Sequence, residues 1–137
     1  MQSHFAWVLL VGGYAMGAHG YPRATKDIDI WVWADRANSE KAFRALAKFG
    51  APLGNVSRLE FSEAGVIFQI GVPPNRIDII TDLSGVDFRT CWENRVVVAI
   101  DDLNIPVIGR RELIVNKHAS GRAQDLLDVD VLEKGQE

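Results

Sequence analysis

The sequence has 137 residues, which is the length of one domain, and we expect residues 1–137 to fold as one. Apolar residues make up 47% and charged residues 24%, as is typical of a folded domain with a real core. No stretch approaches 18 uninterrupted apolar residues, which excludes a transmembrane helix. The 15 basic and 18 acidic residues give a net charge of −3, so no general basic field awaits nucleic acid, although local basic patches are allowed.

The apolar start of the chain and its single cysteine bear on the cellular compartment. Residues 5–11 have no basic segment before them and run into Gly12 and Gly13, which favours a buried strand over a signal peptide. Cys91 cannot form an internal disulfide, and we expect it to be a small buried residue. Both features favour a reducing, cytoplasmic location, with no membrane partner.

The apolar pattern predicts strands alternating with helices, as in the α/β and α+β classes. Strands are predicted at 6–11, 27–33, 66–70, 76–81, 95–100 and 105–108. Helices are predicted at 14–19, 35–49, 112–119 and 122–132. The loops 71–75 and 101–104 are typical of hairpins. We therefore expect a mixed sheet of about five strands with helices packed mainly on one face.

Gly12 and Gly13 stand between the first predicted strand and the helix after it. Two glycines let the backbone turn tightly and bring its amides close to a ligand. The N–H groups at the start of the helix would then point at a bound anion such as phosphate. Glycine pairs are also common at ordinary tight turns, so this motif alone is weak evidence for phosphate binding.

Two aspartates alternate with apolar residues at the start of the second predicted strand. Asp27 and Asp29 share a strand face, with Cα atoms about 6.6 Å apart, whereas Ile28 and Ile30 take the other face. Carboxylates on one face repel each other unless a cation lies between them. Magnesium binds carboxylate and phosphate oxygens, and paired ions lie about 3.5–4 Å apart in two-metal sites. The alternation also fits a solvated strand face.

A third aspartate, Asp78, lies within the apolar strand Arg76-Ile77-Asp78-Ile79-Ile80. An aspartate in such a strand is costly unless it has a partner. Three aspartates on two strands, beside a Gly-Gly turn, suit the binding of two metal ions against a triphosphate while Asp78 helps to deprotonate an acceptor hydroxyl. Without metal these carboxylates repel, so we expect at least one to have a raised pKa.

These motifs resemble the nucleotidyltransferase signature of the DNA polymerase beta superfamily. The resemblance rests on Gly12-Gly13, on Asp27 and Asp29, and on Asp78. The segments 11–15 and 19–29 are similar to those of small bacterial minimal nucleotidyltransferases related to the AbiEii-type and MNT-type toxin–antitoxin proteins. The tail 116–128 resembles the Lys … Arg-x-Lys-Asp-x-x-Asp helix motif of that group. The resemblance covers residues 8 to 132, approximately.

The resemblance implies the nucleotidyltransferase fold and the transfer of an NMP group from an NTP to a hydroxyl. It implies that Asp27 and Asp29 bind two Mg²⁺ ions, with Mn²⁺ as a substitute, and that Asp78 binds the ion that activates the acceptor. The implied nucleotide-binding residues are Gly12, Gly13, Tyr14, Lys117, Arg122 and Asp125. Together with Asp128, Arg122 and Asp125 would brace the closing helix or line the pocket.

Three features depart from the pattern of that group. Tyr14 stands where many members carry a serine whose hydroxyl meets a terminal phosphate, and Gln124 stands at the usual lysine. The chain also starts almost at the first strand, where similar proteins place a helix. Apolar surface left open by that difference would favour a homodimer.

Several further residues allow a functional and a structural interpretation. Trp31 and Trp33 could stack on a base, although packing is the commoner use of aromatic residues in strands. Arg23 and Lys26 could meet phosphate or lie in a solvated loop. A basic cluster near the closing helices could guide RNA or nucleotide phosphate, or be ordinary surface charge. The cluster comprises Arg110, Arg111, Lys117 and Arg122.

Other classes of protein fit less well or remain open. A dinucleotide-binding domain also begins with a strand, glycines and a helix, but the G-x-G-x-x-G and Walker A patterns are absent. A non-catalytic protein with this fold, acting as an antitoxin or binding partner, is the alternative, and Tyr14 and Gln124 favour it. For an enzyme, the acceptor could be an RNA end, a hydroxyl of a partner protein or a small molecule such as an antibiotic.

Overall fold

The computed structural model describes residues 6–22, 27–48, 50–72, 76–100 and 102–135. The strands are β1 Val8–Val11, β2 Asp27–Val32, β3 Ile67–Ile70, β4 Arg76–Ile80, β5 Val96–Ile100 and β6 Leu103–Val107. The helices are α1 Gly12–Ala18, α2 Arg36–Lys48, α3 Phe88–Glu93, α4 Arg110–Ser120 and α5 Ala123–Lys134. A 3₁₀ turn, Glu60–Ser62, lies between α2 and β3.

The strands form one mixed sheet in the order β3-β4-β2-β1-β6-β5. β1 pairs antiparallel with β2, whereas β2–β4 and β1–β6 are parallel pairs. The two predicted hairpins are confirmed as the antiparallel pairs β3–β4 and β5–β6. Because both strands of each hairpin pair within the sheet, it has six strands rather than about five.

Among the described residues, helices pack mainly on one face of the sheet, as predicted: α1, α3, α4 and α5 supply the core on that face, and α2 covers the other. Alternate strand residues, among them Val32 and Ile79, form a core with Ala42 and Leu46 of α2. The residues between them, such as Trp31, form a second core that includes residues of α3, α4 and α5. β2 supplies apolar residues to both cores because side chains alternate between the faces of a strand. The exceptions in β2 are its two aspartates, Asp27 and Asp29.

Helix α3 is the one α-helix of the described residues that the sequence pattern did not predict. It begins after Asp87, whose carboxylate accepts hydrogen bonds from the Thr90 backbone amide and hydroxyl. Phe88 and Cys91 face the core, and burial raises the pKa of the Cys91 thiol to about 12. The expectation that Cys91 is a small buried residue is therefore confirmed.

The closing helices meet at Gly121, as predicted. Gly121 has a φ of 68° and ends α4 in the left-handed conformation, which glycine adopts without steric cost. Helix α5 starts two residues later and returns along α4. Among the described residues, no helix combines the length and the apolar composition that crossing a membrane requires.

Candidate active site

The central feature of the site is a pair of aspartates on neighbouring parallel strands. Asp29 of β2 is the direct register partner of Asp78 of β4, so both side chains leave the same face of the sheet. Their carboxyl groups are within hydrogen-bonding contact of each other. The sequence predicted both residues as site residues, and the parallel pairing of β2 with β4 brings them together.

Asp27 lies two residues before Asp29 on the same face of β2, and its register partner on β4 is Arg76. The Arg76 guanidinium donates to Asp27 across a distance of 2.6 Å between Nη2 and Oδ2. Its Nε also lies 3.1 Å from Oδ1 of Asp78. Arg76 therefore forms ion pairs with two of the three aspartates. Sequence reasoning assigned it no role, although the Arg-Ile-Asp spacing already put its side chain on the face of Asp78.

Gly12, the first residue of α1 after β1, lies against this group. Val11 is the register partner of Asp29, so the chain leaves β1 beside the carboxylate. Gly12 has a φ of 68°, and a Cβ added there would lie 3.0 Å from Cγ of Asp29 and collide with its Oδ2. Only glycine provides both the backbone conformation and the space for this approach. The carboxylate pair thus borders the start of α1, where the sequence predicted the phosphate.

Asp29 is the aspartate of the site whose pKa is clearly shifted. Burial, followed by the charges of Asp78 and Asp27 and the hydrogen bond with Asp78, raises its pKa to about 6. The Arg122 charge acts in the opposite direction, which places Arg122 within electrostatic reach of the site. The expectation that one clustered carboxyl has a raised pKa is confirmed.

The carboxylates of Asp27, Asp29 and Asp78 are ligands that a divalent cation prefers, although they are not already arranged around a common centre. Asp78 Oδ1 is buried, and no side-chain or backbone group among the described residues is aligned to hydrogen-bond to it. Hard cations such as Mg²⁺ take carboxylate oxygens of this kind. In the described part of the chain, no three acidic, histidine or cysteine side chains converge closely enough to hold an ion together. Asp29 and Asp78 already face each other, while Asp27 is turned towards Arg76.

Lys117 is buried between α4 and α5 and lies in an ion-pair network. Its Nζ lies 2.8 Å from Asp128 Oδ2 and 3.4 Å from Asp125 Oδ1, and the residue is 5% exposed. Gln124, at the position of the usual lysine, donates to the other oxygen of Asp128 at 3.2 Å. These contacts brace α4 against α5. A phosphate contact of Lys117 stays a prediction.

Asp125 links this network to Arg122. Its carboxylate accepts from the Ser120 hydroxyl at 2.6 Å and from Arg122 Nε at 2.8 Å. Burial alone would raise the pKa of Asp125, but these hydrogen bonds and the charges of Arg122 and Lys117 outweigh it, and the pKa is lowered. Lys117 thus contacts Asp125, and Asp125 contacts Arg122, whose charge lowers the pKa of Asp29. Of the predicted tail residues, Arg122 is the one whose charge acts on Asp29.

Tyr14 lines a groove that is separate from the aspartate cluster. The residue is 41% exposed and lines an apolar groove of about 280 Å³ with Leu10, Val98 and Ile105. Leu10 leaves the opposite face of β1 from Val11, the partner of Asp29. A phosphate contact of Tyr14, like one of Gly13, stays a prediction.

For Trp31, Trp33 and Arg110, the contacts favour the structural interpretation over the functional one. Trp31 is 2% exposed and meets Phe88 edge to face at 4.9 Å, so it is a core residue and not a stacking platform. Trp33 packs between Trp7 and Phe88. Arg110 donates to the Leu132 carbonyl at the end of α5.

The predicted basic cluster is therefore not one open surface, because Lys117 is buried and Arg110 holds the end of α5. Arg23 and Lys26 lie outside the described residues. The His19 ring nitrogen donates to the carbonyl of Ile108 at 2.8 Å, which gives this histidine a structural contact.

The mixed sheet, with paired aspartates beside a glycine turn, has the architecture of the nucleotidyltransferase fold. Comparison with solved structures shows that fold directly. The chain is similar to the lincosamide antibiotic adenylyltransferase LnuA, solved with lincomycin bound, at a TM-score of 0.53 and 15% identity. That alignment covers 92% of this chain and 85% of LnuA.

A second similar structure is that of a Thermotoga maritima protein described as a nucleotidyltransferase. The TM-score is 0.52 at 15% identity, over 94% of this chain and 81% of the other. No protein-family model matches the sequence, and no curated protein shows significant similarity to it. The common fold is therefore shown by structure alone.

Proposed function

We propose that this chain is a metal-dependent nucleotidyltransferase that moves an NMP group from an NTP to a hydroxyl acceptor. The observation that carries the proposal is the Asp29–Asp78 register pair beside Gly12, within a nucleotidyltransferase fold. Two carboxylates placed in contact at the start of a glycine turn are costly for a protein without such a use.

In this reaction the acceptor oxygen attacks the α-phosphorus of the NTP. A new P–O bond forms to the acceptor, the bond to the β-phosphate oxygen breaks, and pyrophosphate leaves. The proton of the hydroxyl passes to a carboxylate, for which Asp78 is the candidate because its Oδ1 is buried without an aligned donor. Asp29 and Asp78, with Asp27 after it leaves Arg76, would hold magnesium, which would neutralise the phosphate charge.

The chain's own residues would also position the triphosphate. Backbone amides in the first turn of a helix have no partner within the helix, and those of α1 follow directly after the carboxylate pair. The Arg122 side chain is 80% exposed and within electrostatic reach of Asp29. Its Nε donates to Asp125, which holds the guanidinium in place, so Arg122 supplies a positive charge next to the candidate site.

The experiment is a transfer assay with each NTP labelled at the α-phosphate, in magnesium and in EDTA. The acceptors are an RNA pool, the protein itself and a small-molecule panel that includes a lincosamide, the ligand class of LnuA. Label transfer and pyrophosphate release should require magnesium and disappear in Asp29→Asn and Asp78→Asn. Asp130→Asn is the matched control, because Asp130 is exposed and forms an ion pair with Lys134 on α5.

A non-catalytic protein of the same fold is the second candidate, and one observation favours it. Arg76 forms ion pairs with two of the three aspartates, so a side chain of the protein itself offsets part of their charge, as a site that binds no metal would require. No transfer to any acceptor, together with no binding of NTP and magnesium, would support this candidate over the enzyme.

A further inference from the structure

The Arg76 guanidinium lies beside the carboxylates that a divalent cation would bind. Its guanidinium lies 2.6 Å from Oδ2 of Asp27 and 3.1 Å from Oδ1 of Asp78. Magnesium binds oxygen ligands at about 2.0–2.1 Å, so an ion bound to these oxygens would compete with the guanidinium for the same space and would be repelled by its charge. The planar fork of arginine can reach two carboxylates at once, which a single ammonium does less well.

The geometry of these ion pairs also suggests that they can be broken. The Nε of Arg76 and Oδ1 of Asp78 are both buried and only 3.1 Å apart, yet neither atom is aligned for a hydrogen bond among the described residues. The second contact between these side chains, from Nη2 to Oδ2, is long at 3.5 Å. The contact with Asp78 is thus an imperfect one, whereas the contact with Asp27 is short.

We propose that Arg76 is an internal cation that competes with divalent metal for the carboxylates of Asp27 and Asp78. In the metal-free protein it offsets their repulsion and keeps Asp27 turned away from Asp29. Metal binding then requires the guanidinium to leave, so Arg76 lowers the metal affinity of the site. This inference rests on the proposed metal-dependent function and adds a residue that controls loading.

Direct metal binding tests the proposal without relying on activity. Mn²⁺ titrations, followed by the electron paramagnetic resonance of the free ion, are run on the wild type, Arg76→Gln, Arg76→Lys and Arg44→Gln. Arg44 is the matched control because it loses the same charge from the surface of α2, where its partner is Glu40. Each variant is first checked for folding by circular dichroism.

Arg76→Gln should bind Mn²⁺ about tenfold more tightly than the wild type, because one positive charge beside the ligands is gone. Arg76→Lys should lie between the two, and Arg44→Gln should match the wild type. Equal or weaker binding by Arg76→Gln, with a wild type that binds Mn²⁺, would overturn the inference and leave the proposed function intact. No Mn²⁺ binding by either protein would overturn both.

A wild-type measurement covers the case in which Arg76→Gln does not fold. The Nε–H signal of Arg76 in the nuclear magnetic resonance spectrum, assigned with Arg76→Lys, is followed while Mg²⁺ is added. Displacement of the guanidinium should shift this signal in step with metal binding. A signal that stays unchanged when the site is loaded would show that Arg76 keeps its place, and the inference would be wrong.

Discussion

Asp29 and Asp78 face each other across two parallel strands, and their carboxyl groups form a hydrogen bond. Burial of the Asp29 carboxyl, followed by the negative charges of Asp78 and Asp27, disfavours its ionised form, so Asp29 keeps its proton to a higher pH than an ordinary aspartate. The pKa of about 6 at Asp29 expresses this arrangement. A cation that binds the pair must release that proton, which links metal binding to pH.

The first prediction concerns stability at neutral pH. Asp29→Asn should stabilise the metal-free protein by about 1 kcal/mol, because the amide removes a repelled charge and can still donate to Asp78; partial solvent exposure limits the gain. Urea unfolding in EDTA measures the change, with Asp130→Asn as the exposed control. A clear loss of stability in Asp29→Asn would mean that the ionised carboxylate is structurally paired, and the site would be wrong.

The second prediction is the pH dependence of that difference. Well below pH 4, Asp29 is protonated in the folded and the unfolded protein, so it contributes nothing to the difference. As the pH rises from about 4 to about 6, the unfolded chain loses the proton first, and the wild type loses stability relative to Asp29→Asn. Above about pH 6 the difference should stay constant. Urea unfolding of both proteins between pH 3.5 and 8, in roughly half-unit steps, tests this window.

The third prediction is coupling between nucleotide and metal. A triphosphate is repelled by the aspartates unless cations lie between them, so either ligand alone should bind weakly and both together should bind well. Ligand at about 100 times its dissociation constant adds about 2.7 kcal/mol, or a melting shift of about 10 °C for a domain of this size. Thermal melts with the four NTPs, in magnesium or EDTA, measure it.

The melting shift should disappear in Asp27→Ala and persist in the surface variant Arg44→Gln. Flat melts with every nucleotide in magnesium would support the non-catalytic alternative.

The fourth prediction tests the approach of Gly12 to Asp29. Gly12→Ala should lose the magnesium–nucleotide shift, because its Cβ would displace the Asp29 carboxylate. Gly20→Ala is the matched control: Gly20 also has a positive φ, of 95°, but a Cβ there would meet nothing within 4 Å. Both variants should lose about 1 kcal/mol to backbone strain. A shift that survives in Gly12→Ala would remove Gly12 from the site.

The fifth prediction concerns the network that supports Arg122. Lys117→Met should destabilise the protein by about 3–5 kcal/mol, because Asp125 and Asp128 would lose a buried partner. Lys134→Met should cost less than about 0.5 kcal/mol, since its pair with Asp130 is exposed. Urea unfolding of both variants measures this. Similar small losses would show that the network contributes little to the packing of α4 on α5.

The sequence by itself determined which side chains share a face. Period-two alternation placed Asp27 and Asp29 on one side of β2, and the same alternation applied to Asp78 in β4. The two hairpins and the break at Gly121 were also readable, because turns and helix ends depend on neighbouring residues. The fold class followed from the order of these elements.

The tertiary structure alone decided which residues meet. That Asp29 stands opposite Asp78, and Asp27 opposite Arg76, is a matter of register between strands nearly 50 residues apart, which no local pattern encodes. Helix α3 was missed because its stability comes from burying Phe88 and Cys91 against Trp31 and neighbouring residues. Burial likewise decided that Lys117 is enclosed by Asp125 and Asp128: a lysine in a helix looks the same in sequence whether it faces water or two carboxylates.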